Sequence, residues 1–208
     1  MTNFIPIFPL SIVVYPGEAL NLHVFEPRYT QLINDCHMNQ KPFGIPVVMN
    51  NQTREMGTLM KITNIDKVYD NGEMDVRTEG IQVFKILEMI ETVPNKLYKG
   101  AIVTYPENKD NGLSSLMEKV LAFIKTLHQL LHIRKEFKKE EAELRSFDIA
   151  HHTGLSLEQE YQLLEYTDEL HRQEFLKRHL VSIIPVVAET EALKKKIKLN
   201  GHFKTLSS

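Results

Sequence analysis

The sequence has little of what extracellular, membrane-spanning or nucleic-acid-binding proteins need. Its single cysteine, Cys36, cannot form an intramolecular disulfide, which indicates a reducing, cytoplasmic location. No apolar run approaches the roughly 20 residues of a membrane-spanning helix, so we expect no membrane segment. Residues 1–16 contain neither Lys nor Arg and are interrupted by three prolines, which is not the pattern of a signal peptide.

An excess of positive charge is also absent. Up to Tyr105 the chain has 9 Lys and Arg against 11 Asp and Glu, and from Pro106 onward it has 16 of each. Proteins that bind nucleic acid generally carry a local excess of cations that neutralises the phosphates. The charge distribution therefore disfavours a nucleic-acid partner.

Local signatures of catalysis are missing as well. None of the nine glycines begins the G-x-x-x-x-G-K-[ST] pattern that cradles nucleotide phosphates, and no G-x-S-x-G nucleophile pattern occurs. His128 and His132 are four residues apart, but the run HQLLH lacks the Glu of H-E-x-x-H, so we interpret both as edge-of-core residues. For the adjacent His151 and His152 a shared metal is equally disfavoured. We predict no metal, no cofactor and no enzymatic activity.

Residues 1–105 are predicted to be mostly β, with one short helix from about Pro27 to Met38. Asn71-Gly72 lies between two strands and is a strong hairpin signal. The alternation of apolar residues changes phase at Gly80, which predicts a β-bulge and a bent strand that helps a small sheet curl into a barrel. The candidate strands are residues 4–8, 19–25, 43–49, 56–69, 73–79, 81–91 and 97–105.

A polar, turn-rich linker over 106–112 is predicted to separate this half from a helical bundle over 113–200, followed by a tail over 201–208. The first helix of the bundle is expected to begin with a capping box at Ser115 and to reach Phe137. Its expected apolar side consists of Leu116, Val120, Phe123, Leu127, Leu130 and Phe137.

Three further helices are predicted in the second half. One covers Ser146–Thr153 and stops at Gly154, and a second opens with a capping box at Ser156 and runs to about Tyr166. Asp168 is expected to cap a long last helix that Pro185 kinks or interrupts. On that helix we interpret the neighbourhood of His171, Arg172 and His179 as a solvated face.

The stretch from Tyr15 to Tyr29, YPGEALNLHVFEPRY, combines a turn, a strand and a helix start. With the residues before it, this stretch resembles the opening of the N-terminal domain of the ATP-dependent Lon protease family. The matching motifs are Phe8-Pro9-Leu10, Val13-Val14, Pro16-Gly17, Leu20 to Leu22 and His23 to Tyr29, and the similarity continues through Met56-Gly57-Thr58 and Val76 to Gly80.

The resemblance implies an α+β fold: a PUA-like β-barrel with one short helix, followed by a helical bundle with a long last helix. It implies a stand-alone, non-catalytic protein, without ATPase or protease domains, that binds unfolded or exposed apolar polypeptide segments in protein quality control. A protease or chaperone is a further expected partner. We predict structural roles for Glu26, Arg28 and Tyr29, and a core position for Cys36.

The candidate partner-binding residues are chosen because methionine and aromatic surfaces adapt to varied partners. They are Phe25, Met49, Met56 and Met60. Three alternative functions remain open: RNA binding, because PUA-like barrels elsewhere bind RNA; an enzyme whose site is assembled from distant residues; and a small-ligand or degron reader, as in other proteins with a Lon-type domain.

Overall fold

In the computed structural model, residues 3–203 are described, with side chains through residue 197. The chain divides into two compact units. The N-terminal unit consists of the residues up to Asn108 together with Ser156–Thr167, and the helical unit consists of Lys109–Leu155 and the residues from Asp168 onward. The first boundary lies between residues 108 and 109, and the segment 156–167 belongs to the N-terminal unit.

The N-terminal unit is built on one antiparallel six-stranded sheet. Its strands are β1 (Asn3–Pro6), β2 (Ala19–Val24), β3 (Phe43–Met49), β4 (Gln52–Val68), β5 (Met74–Ile90) and β6 (Gly100–Thr104). The order is β1-β6-β5-β4-β3, and β2 pairs with the part of β5 that β6 leaves free.

The sheet curls, as the bulge pattern predicts, but it does not close into a continuous barrel. Isolated parallel bridges join Ile7 to Gly44 and Leu10 to Val47, and no ladder joins β1 to β3 in the part of the chain that is described. In the pairing of β4 with β5, the register shifts so that Leu59 faces Gln82 while Met60 faces Gly80. The predicted bulge beside Gly80 is confirmed, and β5 passes through it as one strand.

Two apolar clusters lie against this sheet. The larger one is covered by helix α1 (Pro27–Met38), whose bounds agree with the prediction and whose first residue is the proline that needs no hydrogen-bond acceptor. It contains Cys36, which is buried as predicted, with Phe43, Met60 and Met74 among its other members. The second cluster is centred on Phe84.

Helix α4 (Leu157–Glu165) completes the N-terminal unit. The Ser156 hydroxyl accepts from the Gln159 N–H and the Gln159 side chain accepts from the Ser156 N–H, so the predicted capping box is confirmed. Leu163 and Leu164 are buried. In sequence, α4 lies between two segments of the helical unit, so its place in the N-terminal unit could not be predicted. Helical periodicity shows that a helix has an apolar face, but not which element that face packs against.

The helical unit contains α2 (Ser114–Leu130), the short α3 (Ser146–Ile149) and α5 (Glu169–Phe203), with single 3₁₀ turns at 141–143 and 150–152. None of the helices in the described part of the chain is long and apolar enough to cross a membrane. Gly154 has a φ of 70° and ends the segment that starts at Ser146, as predicted. The His171 N–H donates to the Asp168 carboxylate over 3.2 Å, which confirms the predicted cap of α5.

Other predictions for the helical unit are wrong. Helix α2 starts after Leu113 without a side-chain cap, so no capping box forms at Ser115. It ends before His132, whose φ is 55°, so Phe137 lies outside it. Helix α5 continues through Pro185, so the predicted interruption is absent, and the alternative of a kink stays a prediction. The predicted tail falls partly on α5, and residues 204–208 lie outside the described part of the chain.

Candidate functional site

A tight turn and a bulge fix the start of β2. The Glu18 N–H donates to the Tyr15 carbonyl over 3.1 Å across Pro16-Gly17, and Gly17 has the positive φ of 82° that a type II turn requires at this position. The Gly17 N–H donates to the Gly80 carbonyl, and the Gly80 N–H donates to the Glu18 carbonyl, both over 2.9 Å. These two bonds form a G1 bulge, which sets the register of β2 against β5.

Gly80 is required for this arrangement. A Cβ at position 80 would lie 2.4 Å from the Tyr15 carbonyl oxygen, a backbone atom that cannot move aside. Tyr15 itself is fully buried, and its hydroxyl donates to the Glu160 carbonyl over 3.1 Å. The Pro16-Gly17 turn and the Glu79-Gly80 segment of β5 therefore fix each other's position, although they lie far apart in sequence.

Glu26, Arg28 and Tyr29, which follow β2, make the structural contacts that were predicted. Glu26 and Arg28 form an ion pair of 2.6 Å between Oε2 and Nη2. The Arg28 guanidinium lies 4.6 Å from the centre of the Tyr29 ring, and that ring stacks on Phe8 with the centroids 3.9 Å apart. Tyr29 thus packs against the larger apolar cluster, and Arg28 covers it.

The outer face of β2 carries a polar network next to an exposed aromatic ring. His23 Nδ1 lies 2.8 Å from Asp75 Oδ1 and His23 Nε2 lies 3.2 Å from Glu73 Oε2. The Tyr69 hydroxyl donates to Asp75 Oδ2 over 2.7 Å. The His23 ring has its centre 5.9 Å from that of Tyr69 and 6.3 Å from that of Phe25. Strand β2, strand β5 and the Asn71-Gly72 turn together assemble this cluster, which we call the His23 network.

The network stabilises the protonated form of His23 relative to the neutral form. The hydrogen bond to Asp75 raises the pKa of His23 above its usual 6.5, and the nearby negative charges of Asp75 and Glu73 act in the same direction. Hydrogen bonds from His23 and Tyr69 lower the pKa of the Asp75 carboxyl. The hydrogen bond to Asp75 also raises the pKa of the Tyr69 hydroxyl. The surface beside Phe25 is therefore polar and rich in acidic groups.

Of the four residues predicted to bind a partner, only Phe25 lies on the surface. Its side chain is 63% exposed, between the end of β2 and the start of α1. Met49 and Met56 are 7% and 6% exposed, and Met60 is completely buried in the larger apolar cluster. The prediction that the three methionines bind a partner is therefore corrected: their side chains fill the interior, because β3 and residues 56–60 of β4 have both faces covered.

Each unit has an open groove. The groove of the N-terminal unit has a volume of about 480 Å³ and that of the helical unit about 380 Å³. The first is bordered by Lys41 and Lys61 over an apolar floor that includes Ile62 and Ile81. Neither groove brings a serine, a histidine and an acid together. Cys36 lines the first groove, but burial raises the pKa of its thiol to about 12, so the thiolate is scarce at neutral pH.

Among the histidines of the helical unit, His128 is partly buried, as predicted for an edge-of-core residue, whereas His179 differs from the prediction. His128 and His152 have ring centres 5.4 Å apart, and Phe137 lies 4.9 Å from His152. Among the described residues, no group of three or more His, Cys, Asp or Glu has the geometry to hold a metal. His179 is 8% exposed and its Nε2 lies 3.1 Å from the Thr153 carbonyl oxygen, so it does not belong to a solvated face.

Sequence reasoning missed the partners of His23. Asp75 lies 52 residues away in sequence, and only the register of β2 against β5 places it opposite His23. The Asn71-Gly72 hairpin could have predicted that Tyr69 and Glu73 lie close together, because a tight turn brings the residues on its two sides together. The pairing of β2 with β5 had no such local signal.

Comparison with known proteins agrees with this architecture. The family profile described as the ATP-dependent protease La (LON) substrate-binding domain matches residues 5–182. A Lon N-terminal domain protein from Xanthomonas campestris is 24% identical and has a TM-score of 0.63, covering 84% of this chain and 96% of its own. The N-terminal domain of the Mycobacterium avium complex Lon protease is 15% identical with a TM-score of 0.63, covering 86% of this chain and 98% of its own.

Among curated protein sequences, none matches the chain significantly. The two solved structures are less than 25% identical to it, so they support the fold. The family profile extends over most of the sequence, from the first strand into the long last helix. The chain therefore belongs to the family of LON substrate-binding domains.

Proposed function

We propose that this protein binds exposed segments of unfolded polypeptide, without catalysis, through the surface around Phe25. The observation that carries the proposal is the 63% exposure of this aromatic side chain, which follows the end of β2 within the stretch Tyr15 to Tyr29. A large apolar ring on the surface gains free energy when a partner covers it, and it does so for many partner sequences. Membership of a substrate-binding family supports a polypeptide partner.

The charges at this surface favour a polypeptide over RNA. Asp75 and Glu73 lie beside His23, and the Lys67 Nζ lies 4.2 Å from the centre of the Tyr69 ring. A phosphate backbone would meet two carboxylates at this position, which repel it. Apolar segments of unfolded proteins carry no such charge.

The expected physiological role is that of an adaptor in protein quality control. Bound chains would be passed to a separate protease or chaperone, because the protein supplies binding and no hydrolytic step. In a reconstituted assay, we expect the protein to accelerate degradation of an unfolded client by an ATP-dependent protease from the same cell. An unchanged degradation rate in the presence of saturating protein would remove the adaptor role and leave the binding role in place.

The binding role is tested by substitution of Phe25. We expect Phe25→Ser to weaken binding of a reduced, carboxymethylated client protein by about tenfold, which corresponds to about 1.4 kcal/mol. Leu87→Ser is the matched control, because Leu87 is 54% exposed on the part of β5 that pairs with β6 and not with β2. Fluorescence anisotropy of the labelled client measures both affinities. Equal binding by the two variants would contradict the assignment of this surface.

A further inference from the structure

Strand β2 is a sheet edge that is regular and paired on one side. In the part of the chain that is described, β2 pairs with β5 over Ala19–Val24 and with no other strand. This pairing has no register shift from its first residue to its last. An edge of this kind offers a row of backbone donors and acceptors to another extended chain.

The bulge at Gly17 determines which backbone groups point outward. Because Gly80 donates to the Glu18 carbonyl, every second residue after Glu18 makes the hydrogen bonds to β5. These are Leu20, Leu22 and Val24. The N–H and C=O groups of the intervening residues, Ala19, Asn21 and His23, therefore point away from β5 and along the edge.

A second unpaired edge in this unit, in β4, is protected against pairing with another strand, and β2 is not. The distal part of β4, from Lys61 to Val68, pairs with β5 on one side, but its register shifts between Ile62 and Asn64 and again between Ile65 and Lys67. Bulges disrupt the spacing of the outward groups and are a common device that prevents edge pairing. Strand β2 lacks this protection.

The side chains along β2 define what would fit. Leu20 and Leu22 are partly buried at the border of the larger apolar cluster, so a neighbouring strand would find apolar contacts on that face. On the opposite face, the carboxylates of Glu73 and Asp75 outnumber the imidazole of His23, and Arg77 is already paired with Asp66. The remaining negative charge favours a Lys or Arg. At the end of the strand, Phe25 offers an exposed ring. The complementary partner is an extended segment with apolar residues at alternate positions and basic residues between them.

We propose that an extended segment of client polypeptide adds to the sheet as a strand alongside β2. The inference rests on the proposed function and specifies its mode of binding. Backbone hydrogen bonds provide affinity that depends little on sequence, which is what a protein that accepts many unfolded chains requires. The apolar contacts at Leu20, Leu22 and Phe25 select segments that are normally buried in folded proteins.

The substitution Asn21→Pro distinguishes strand addition from other modes of binding. The Asn21 N–H points outward, so Asn21→Pro removes an edge donor and places a ring there without removing a bond to β5. Asn21→Ala removes the same side chain and keeps the N–H, and it is the matched control. The probes are the carboxymethylated client and a fluorescent seven-residue peptide of alternating valine and lysine. We expect Asn21→Pro to weaken binding of both probes by about tenfold or more, and Asn21→Ala to bind like wild type.

A second measurement does not depend on the folding of any variant. N-methylation of the valines, or of the lysines, removes the N–H groups that point to one side of the peptide strand. We expect one of these two peptides to lose binding to the wild-type protein and the other to keep it. Equal binding of both methylated peptides, or equal binding by folded Asn21→Pro and Asn21→Ala, would overturn the proposal while client binding by wild type still stands.

Two other outcomes are distinguishable. A wild-type protein that binds neither probe would contradict the proposed function itself. A dimer of the wild-type protein that Asn21→Pro dissociates in sedimentation experiments would assign this edge to a second copy of the chain, and would overturn the assignment to a client.

Discussion

The surroundings of His23 in the N-terminal unit and of His152 in the helical unit shift the pKa values of the two histidines in opposite directions. In the N-terminal unit, His23 sits on the surface, where the hydrogen bond to Asp75 raises its pKa. In the helical unit, burial and the nearby positive charges of Lys135 and other basic residues lower the pKa of His152 to about 4. The same unit buries an ion pair between Glu169 and Arg172, whose residues are 1% and 2% exposed.

The exposed charged residues around His23 are available to a partner, whereas the buried pair of Glu169 and Arg172 contributes to the fold of its unit. Exposed charges of the N-terminal unit remain hydrated, contribute little to stability and can be rearranged when a partner binds. The buried charges of the helical unit have fixed partners: Arg172 Nε donates to Glu169 Oε2, and the Ser146 N–H and hydroxyl both donate to Oε1, each over 2.9 Å. We therefore expect substitutions of charge to affect binding in the first unit and folding in the second.

The largest expected effect is the loss of the buried carboxylate. Glu169→Ala leaves Arg172 charged in the interior and removes the acceptor for Ser146, so we expect the free energy of unfolding to fall by about 3–5 kcal/mol. Urea unfolding followed by circular dichroism measures it. The control is Glu79→Ala, which breaks an exposed pair with Lys61 and should cost less than about 1 kcal/mol. Similar losses for the two variants would contradict the contrast between the units.

A smaller effect is expected where the signature turn meets β5. Gly80→Ala places a methyl group against the Tyr15 carbonyl oxygen, and we expect a loss of about 1–3 kcal/mol from the resulting displacement of the backbone. Gly17→Ala is the comparison, because a Cβ there contacts nothing within 4 Å and only the positive φ is unfavourable, at about 1–2 kcal/mol. Thermal unfolding of both variants checks the order. A Gly80→Ala protein as stable as wild type would mean that the turn does not depend on this close approach.

The smallest effects are the two histidine titrations, which should move in opposite directions. In NMR spectra, we expect His23 to titrate above pH 6.5 and His152 near pH 4. A raised pKa in the folded state makes the contribution of His23 to stability complete below pH 6.5, and that contribution is lost as the pH rises through the folded-state value. A lowered pKa makes the contribution of His152 disappear as the pH falls from 6.5 towards 4.

Two variants check the causes of these shifts. Asp75→Asn removes the hydrogen-bonded charge and should return the pKa of His23 towards 6.5. His152→Leu should flatten the loss of stability between pH 6.5 and pH 4. If His23 keeps its raised pKa in Asp75→Asn, the His23 network is not its cause.

The local elements of the fold could be predicted closely. Proline at the start of α1, Asn71-Gly72 and the capping box at Ser156 each act through neighbours in sequence, and all are confirmed. The same reasoning placed Phe137 on α2 and described Arg172 as solvated, and both predictions are wrong. Periodicity locates the stripes of a helix, but the burial of a charged stripe depends on a distant partner such as Ser146, which donates two hydrogen bonds to Glu169.

The sequence by itself determined the family, the α+β class and the position of the turn and bulge, because Pro16, Gly17 and Gly80 act through backbone conformations that few other residues allow. Only the tertiary structure decided which candidate residues reach the surface. It buried the three methionines, left Phe25 exposed and placed Asp75 opposite His23. The physical reason is that the pairing of β2 with β5 and the covering of each strand face are set by contacts between segments far apart in the chain, and no local pattern records them.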